Sequence, residues 1–169
     1  MIKLDWDTYY MTLAFAIARR SIDPSTKHGC IIVSKDNRVL SSGYNGPIKG
    51  ADDANLSTER PRRYWLWIHA EENALLAYSG SQQDILGATA YITGHPCHKC
   101  LRMMIQKGLS RAVFCDTDST KSIMMDENEK EACRLVLACR NSFVLESIGF
   151  QGVSENVASM LLHVTGKIR

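Results

Sequence analysis

The sequence predicts an α/β fold in three layers, a central mixed sheet of five strands with helices on both faces. The order of elements carries that prediction: helical and strand patterns follow one another as αββαβαβαβ, an alternation that lays connecting helices against a sheet. A second observation is Cys30-Ile31-Ile32-Val33, a short continuous apolar run typical of a strand buried on both faces. The third is length. At 169 residues the chain fits one compact domain, able to bury roughly 70% of the surface that its unfolded form exposes. We read residues 1–169 as a single domain, with 150–169 as a C-terminal extension.

The first helix is expected from about Asp5 to Ser21, ended by the Asp23-Pro24-Ser25 turn. Its apolar stripe runs through Trp6, Tyr9 or Tyr10, Leu13 and Ile17. After the Cys30–Val33 strand, Lys35-Asp36-Asn37-Arg38 reads as a hairpin turn into a second strand over Val39 to Ser42. Gly43-Tyr44-Asn45-Gly46-Pro47 is then a glycine-punctuated loop, followed by an irregular polar segment to about Arg63. A helix follows over about Ala70 to Tyr78 and stops at Ser79-Gly80. Ala88 to Thr93 alternates as a strand, and a helix from about His98 to Lys107 ends at Gly108. Ala112 to Cys115 is a strand, Glu127 to Cys139 a helix, and Ser142 to Leu145 the last strand; Ser154 to Leu162 is expected to form a short final helix.

Composition narrows the function classes. The formal charge is +2, with Lys and Arg spread widely, so a nucleic-acid footprint is not expected. No apolar run approaches the ~20 residues of a membrane span. Tyr9 to Ala18 could mimic a signal-peptide core, but Asp5 and Asp7 before it and Arg19-Arg20 after it give the wrong flanks. Cys30, Cys115, Cys133 and Cys139 stand singly in apolar or helical surroundings, which reads as reduced buried thiols in a cytoplasmic protein.

Two short motifs carry the chemistry: His69-Ala70-Glu71 and Pro96-Cys97-His98-Lys99-Cys100. They offer one imidazole, two thiolates and a spare carboxylate, the ligand set of a catalytic zinc whose fourth position is left to water. Both motifs open helices. A helix N-terminus carries partial positive charge, which favours thiolate over thiol at Cys97 and Cys100. Pro96 suits that position because its missing N–H costs nothing there. Cys97 and Cys100 stand one helical turn apart, so both sulfurs can reach one ion. His69 and Glu71, at i and i+2, would point about 200° apart inside a regular helix. They converge only if His69 lies at a strained opening to the helix, so two helix N-termini should face each other across one zinc. Cys97-x-x-Cys100 alone would equally fit a zinc knuckle or a redox pair, but a structural site needs a fourth Cys or His. His98 should point away to the surface, and His95 is placed to line the pocket.

His-x-Glu followed by Pro-Cys-x-x-Cys is the signature of zinc deaminases. On these motifs the chain resembles the cytidine deaminase superfamily, and within it the deoxycytidylate (dCMP) deaminases. The resemblance runs from about Tyr9 to Gly149. It also takes in Arg19-Arg20-Ser21-Ile22-Asp23-Pro24, Gly29–Val33, Ser42-Gly43-Tyr44-Asn45-Gly46, Asp52-Asp53 and Glu72-Asn73-Ala74. It implies a three-layer cytidine-deaminase-like fold and hydrolysis of dCMP to dUMP and ammonia, supplying dUMP for dTMP synthesis. It implies Zn2+ on His69, Cys97 and Cys100, one per chain, with Glu71 as the proton shuttle. The Ala70 N–H would hold the pyrimidine carbonyl, and Asn45 the sugar hydroxyl. Members typically form hexamers, activated by dCTP with Mg2+ and inhibited by dTTP. The chain departs from the family's usual pattern at His28, at Pro47-Ile48, and in Asp116–Lys121, where many members carry a pocket-closing Tyr.

A nucleotide substrate needs cationic groups some way from the metal. Arg60, Arg62 and Arg63, interleaved with Tyr64, Trp65 and Trp67, are the densest basic cluster near the catalytic motif. Arg62 and Lys121 are the candidates for substrate binding. Lys27, Gly46, Lys49 and Asp53 are the candidates for the effector nucleotide, and the loop beginning at Gly43 precedes the polar segment that leads to His69. The alternatives are a zinc deaminase of another cytosine or adenine substrate, including a base in nucleic acid, and a non-catalytic zinc module; Glu71 argues against the latter.

Overall fold

The computed structural model describes residues 3–52, 55–57, 59, 61–116, 126–151, 153 and 154. Asp53, Arg60, Lys121 and the expected tail helix beyond Ser154 lie outside the described residues.

Helix α1 (Trp6–Ala18) begins at Asp5, whose carboxylate accepts the N–H of Thr8 at 2.9 Å and satisfies an end donor the helix cannot. Strands β1 (Gly29–Val33) and β2 (Val39–Tyr44) form the expected hairpin. Its turn holds Asn37 at φ 62°, a left-handed conformation that Asn tolerates. Three short elements follow where none is expected: β3 (Gly46–Pro47), and the helix α2 (Arg63–Leu66) leading into β4 (Trp67–Ile68). Then come α3 (Ala70–Ala77), a short α4 (Gln82–Ile85), β5 (Thr89–Ile92), α5 (His98–Lys107), β6 (Arg111–Asp116), α6 (Glu127–Cys139) and β7 (Val144–Gly149). Gly108 ends α5 with φ 100°, the left-handed cap that glycine supplies.

The main sheet has five strands in the order β2-β1-β5-β6-β7. β1 is antiparallel to β2 and β5, whereas β5, β6 and β7 run parallel, so the sheet is mixed as expected. Alternate residues serve opposite faces. Ile31, Val33, Tyr91 and Val113 pack under α1, while Cys30, Ile32, Ala90 and Ile92 pack under α3 and α5. Both faces are therefore covered, which is why β1 is buried along its whole length.

The buried face of α1 differs from the expected stripe. Tyr10, Met11, Ala14 and Ala18 are covered, Leu13 and Ile17 only partly, and Trp6 is 46% exposed. The cause is Gly29. A Cβ there would meet the Ala14 carbonyl oxygen at 2.1 Å, so strand and helix backbones touch and only alanines fit between them. The last strand is displaced to Val144–Gly149 because it is an edge strand, exposed at four of its six residues, where apolar patterning is weak. Cys139 is exposed at the end of α6, so of the four single cysteines Cys30, Cys115 and Cys133 alone are buried thiols.

Candidate active site

His69 and Cys97 are the residues that cap α3 and α5, and each has ordinary extended backbone: φ −72°, ψ 158° and φ −73°, ψ 164°. The opening at His69 is therefore unstrained. Extended geometry turns its ring toward α5 while Glu71, inside the first turn, projects from the helix proper. Neither cap makes a side-chain capping bond, which leaves imidazole and thiol free to act as ligands at the positive ends of two helices.

His69 Nδ1 lies 3.5 Å from the Cys97 sulfur and 3.5 Å from the Cys100 sulfur. A tetrahedral zinc with bonds of about 2.3 Å to sulfur and about 2.0–2.1 Å to nitrogen separates such atoms by about 3.5 Å. The three ligand atoms lie within 4.8 Å of one another, the one such His, Cys, Asp or Glu cluster among the described residues. Donor set and spacing both fit zinc. Hydrogen bonds from the Cys100 thiol and from His69 pull Cys97 down to about 4, while Cys100, as the donor of that pair, is pushed well up. The bond to Cys97 raises His69 to about 9.

Glu71 is only 5% exposed, and that burial raises its carboxyl to about 6. A carboxyl poised near neutrality can both take and give a proton. It lines a cavity of about 600 Å³ together with His69, Ala70, Cys97 and Asn45. β2 brings the Asn45 loop there because Gly43 lies against α3, where a Cβ would meet Ala74 N at 2.3 Å and Ala70 O at 2.4 Å. Asn73, two residues beyond Glu71, donates to Tyr44 O at 2.8 Å and ties the loop down.

The Asn45 amide is largely engaged. Its Oδ1 accepts the His28 N–H at 2.8 Å, and its Nδ2 donates to Asp23 Oδ2 at 3.2 Å and to Thr26 O at 2.9 Å. Arg62 is exposed and is not among the described lining residues; its neighbour Arg63, 5% exposed, takes that place and pairs with Asp23 at 3.2 Å. Gly46 is buried in β3 opposite Ile68. Lys27 is exposed, with its ammonium on Ser21 O, and Lys49 is exposed; neither lines this cavity.

His98 does not point away to the surface. It lines the cavity, with its N–H donating to Glu129 Oε1 at 2.6 Å and its Nδ1 lying 2.7 Å from Oε2. Glu129 thus caps α5 from the neighbouring helix. Asp126 caps α6 by accepting the Glu129 N–H at 2.7 Å, but the Glu129 side chain does not close a capping box and goes to α5 instead. His95 lines the cavity, as expected, edge-on to Phe114 at 4.7 Å.

A family model described as the cytidine and deoxycytidylate deaminase zinc-binding region matches residues 4–116. The deoxycytidylate deaminase of Homo sapiens is 32% identical over 139 residues, covering 79% of this chain and 74% of that one. That of Mycobacterium phage D29 is 37% identical over 130 residues, covering 68% of this chain and 97% of its own length. Among solved structures, apo dCMP deaminase from the cyanophage S-TIM5 superposes with a TM-score of 0.64 at 24% identity, covering 87% of this chain and 100% of that one. At that identity the superposition speaks for the fold.

Proposed function

Because this chain belongs to the cytidine and deoxycytidylate deaminase family, we propose that the zinc-dependent hydrolysis it carries out is that of dCMP, to dUMP and ammonia. The observation that carries this reading is the placement of Glu71 in the cavity lined by His69 and Cys97, whose ligand atoms together with that of Cys100 fit zinc. Zinc held by these residues supplies the Lewis acidity that makes water a nucleophile near neutral pH. Glu71 takes one proton of the attacking water and passes it to the ring nitrogen beside the reacting carbon, then takes the remaining proton of the added hydroxyl and gives it to the departing amine, leaving the carbonyl of dUMP and ammonia. The Ala70 N–H, at the first position of α3 where no helical acceptor exists, donates to the pyrimidine carbonyl. Asn45 keeps one lone pair on Oδ1 for the sugar hydroxyl.

Supply of dUMP for dTMP synthesis in a reducing cytoplasm accords with this substrate and with cysteines free of disulfides. We extend the reading to regulation: a homo-oligomer, of hexameric size, activated by dCTP with Mg2+ and inhibited by dTTP. Lys27, Gly46, Lys49 and Asp53 are the effector candidates. None of the first three lines the catalytic cavity, as a separate effector site requires.

Ammonia release from dCMP, CMP, deoxycytidine and cytosine tests the substrate assignment. The expected result is the highest kcat/KM on dCMP. Preference for the free base, or binding of single-stranded nucleic acid with turnover of its bases, would replace it.

A further inference from the structure

We propose that Glu129 is a positioning residue of the metal centre: from α6 it clamps the peptide unit that follows Cys97, and so fixes the thiol through which the centre keeps its zinc. The assignment rests on the zinc reading of His69, Cys97 and Cys100 and adds to it a residue outside both motifs. The Glu129 carboxylate makes two bonds to a single residue. Its Oε1 accepts the His98 backbone N–H at 2.6 Å, and its Oε2 lies 2.7 Å from His98 Nδ1. A carboxylate only accepts, so Nδ1 is the ring nitrogen that carries the proton. The His98 N–H opens α5 and has no acceptor within its own helix, so Glu129 meets a need that the helix cannot.

Cys97 depends on such a clamp more than the other two ligands do. Cys100 is 1% exposed inside α5 and is fixed by the core that also buries Leu101 and Met104. His69 opens α3, which Gly43 sets directly against β2. Cys97 is a half-buried cap at the end of a connection. The last backbone bond to the sheet before it is Thr93 N–H to Gly29 O at 3.0 Å. Among the described residues, no backbone N–H from Gly94 to Cys97 donates to another backbone group. Pro96 has no N–H to give, and its carbonyl meets His95 Nδ1 at 2.8 Å, a contact internal to the connection. The outside contacts come from α6. Cys133, one turn after Glu129, places its sulfur 3.9 Å from Pro96 O, so α6 touches the chain on both sides of Cys97.

The clamp also sorts the donors of the first turn of α5. The His98 N–H goes to Glu129, while the Cys100 N–H bonds the Cys97 sulfur. A first turn that slipped would lose that bond together with the 3.5 Å approach of the Cys97 sulfur to His69 Nδ1. Glu129 is itself anchored where it grips, because Asp126 accepts its backbone N–H at 2.7 Å.

The test follows zinc rather than turnover. Zinc-loaded wild type, Glu129→Ala, Glu129→Gln and Glu129→Asp are exposed to a competing chelator, and zinc affinity and the rate of zinc loss are measured. Glu129→Ala should bind zinc about 10–100-fold more weakly, as loss of a group that supports a metal ligand does. Gln keeps an oxygen for the His98 N–H and should recover most of that loss. Asp keeps the charge but falls one methylene short, and should not. If Glu129→Ala fails to fold, the contrast between Gln and Asp decides. Glu131→Gln makes the same change of charge on α6, at an exposed residue paired with Arg134 at 3.1 Å, and should leave zinc binding as it is. With Co2+ in place of zinc, the visible bands of the thiolate-bound ion should shift in Glu129→Asp and return in Glu129→Gln, a signature that a merely structural helix contact would not move. Unchanged zinc retention and unchanged cobalt bands in Glu129→Ala or Glu129→Asp overturn the clamp and leave the zinc reading intact. So does a loss of zinc that only follows the urea stability of the metal-free protein. A wild type that holds no zinc overturns both.

Discussion

Glu71 and Glu72 are neighbours in sequence and opposites in environment. Glu71 is buried in the catalytic cavity, whereas Glu72 lies on a separate groove between α3, α5 and α6. The difference follows from helix geometry: with His69 at the cap, the residue two on faces the cavity and the next is carried about 100° around. Glu71→Gln keeps the size and one acceptor oxygen but cannot carry a proton. It should retain zinc and lose about 10²–10⁴-fold in kcat, measured by ammonia release against metal content in the same preparation; full turnover in the zinc-loaded variant would remove Glu71 from the mechanism. Cys97→Ala and Cys100→Ala should lose zinc and activity together, read by metal stoichiometry. One zinc per chain in either variant would show the ligand set to be wrong.

Elements place these residues through two glycine contacts on opposite faces of the sheet. Gly43→Ala pushes β2 into the backbone of α3, and Gly29→Ala pushes β1 into that of α1. Each should lower stability by about 1–3 kcal/mol or more, the range of overpacked cores, measured by urea unfolding. Only Gly43→Ala also displaces the α3 turn carrying Glu71, so its loss of kcat should exceed that of Gly29→Ala. The sheet is joined to α1 by Arg111, which reaches both oxygens of Asp7, at 2.9 and 2.6 Å, and also Glu146. Those bonds hold the Asp7 carboxyl below its ordinary 3.8. The folded state therefore binds this proton less readily than the unfolded chain. Its contribution is complete above pH 3.8 and is lost as pH falls through the folded value. Asp7→Asn should reduce stability at neutral pH and flatten the acid limb of a stability–pH curve; an unaltered acid limb would show the pair to be inert. The zinc motifs and the succession of the main helices and strands along the chain were legible because a strict spacing or an apolar run encodes them locally. β3 and β4 were not, since a two-residue bridge has no periodicity to read. Nor was the inward turn of Arg63 or the grip of Glu129 on His98, because both depend on which elements become neighbours. The buried face of α1 departs from the apolar stripe for the same reason: close approach of Gly29 favours Ala14 and Ala18 over bulkier residues.

For the whole molecule, the proposed regulation requires dCTP and dTTP to prefer opposite states of an oligomer, because a ligand that binds both states equally shifts nothing. The Asn45 loop offers a route. It is tied to the Asp23 turn on one side and to Asn73 of α3 on the other, so a ligand that moves the turn also moves the cavity wall. Sigmoidal dCMP kinetics should become hyperbolic with dCTP and Mg2+ and be suppressed by dTTP. Lys27→Ala and Lys49→Ala should blunt those responses more than they change zinc content or saturated turnover. Hyperbolic kinetics unmoved by either nucleotide would show the catalytic core without the switch. If His69, Cys97 and Cys100 hold the zinc with which Glu71 deaminates dCMP, activity must follow the metal in a titration. Metal is stripped from the protein with a chelator and zinc is returned stepwise while conversion of dCMP to dUMP is followed. Turnover should be absent without metal and should recover linearly until one zinc is bound per chain. Full turnover by the stripped protein, or zinc-replete protein that leaves dCMP intact, would contradict it.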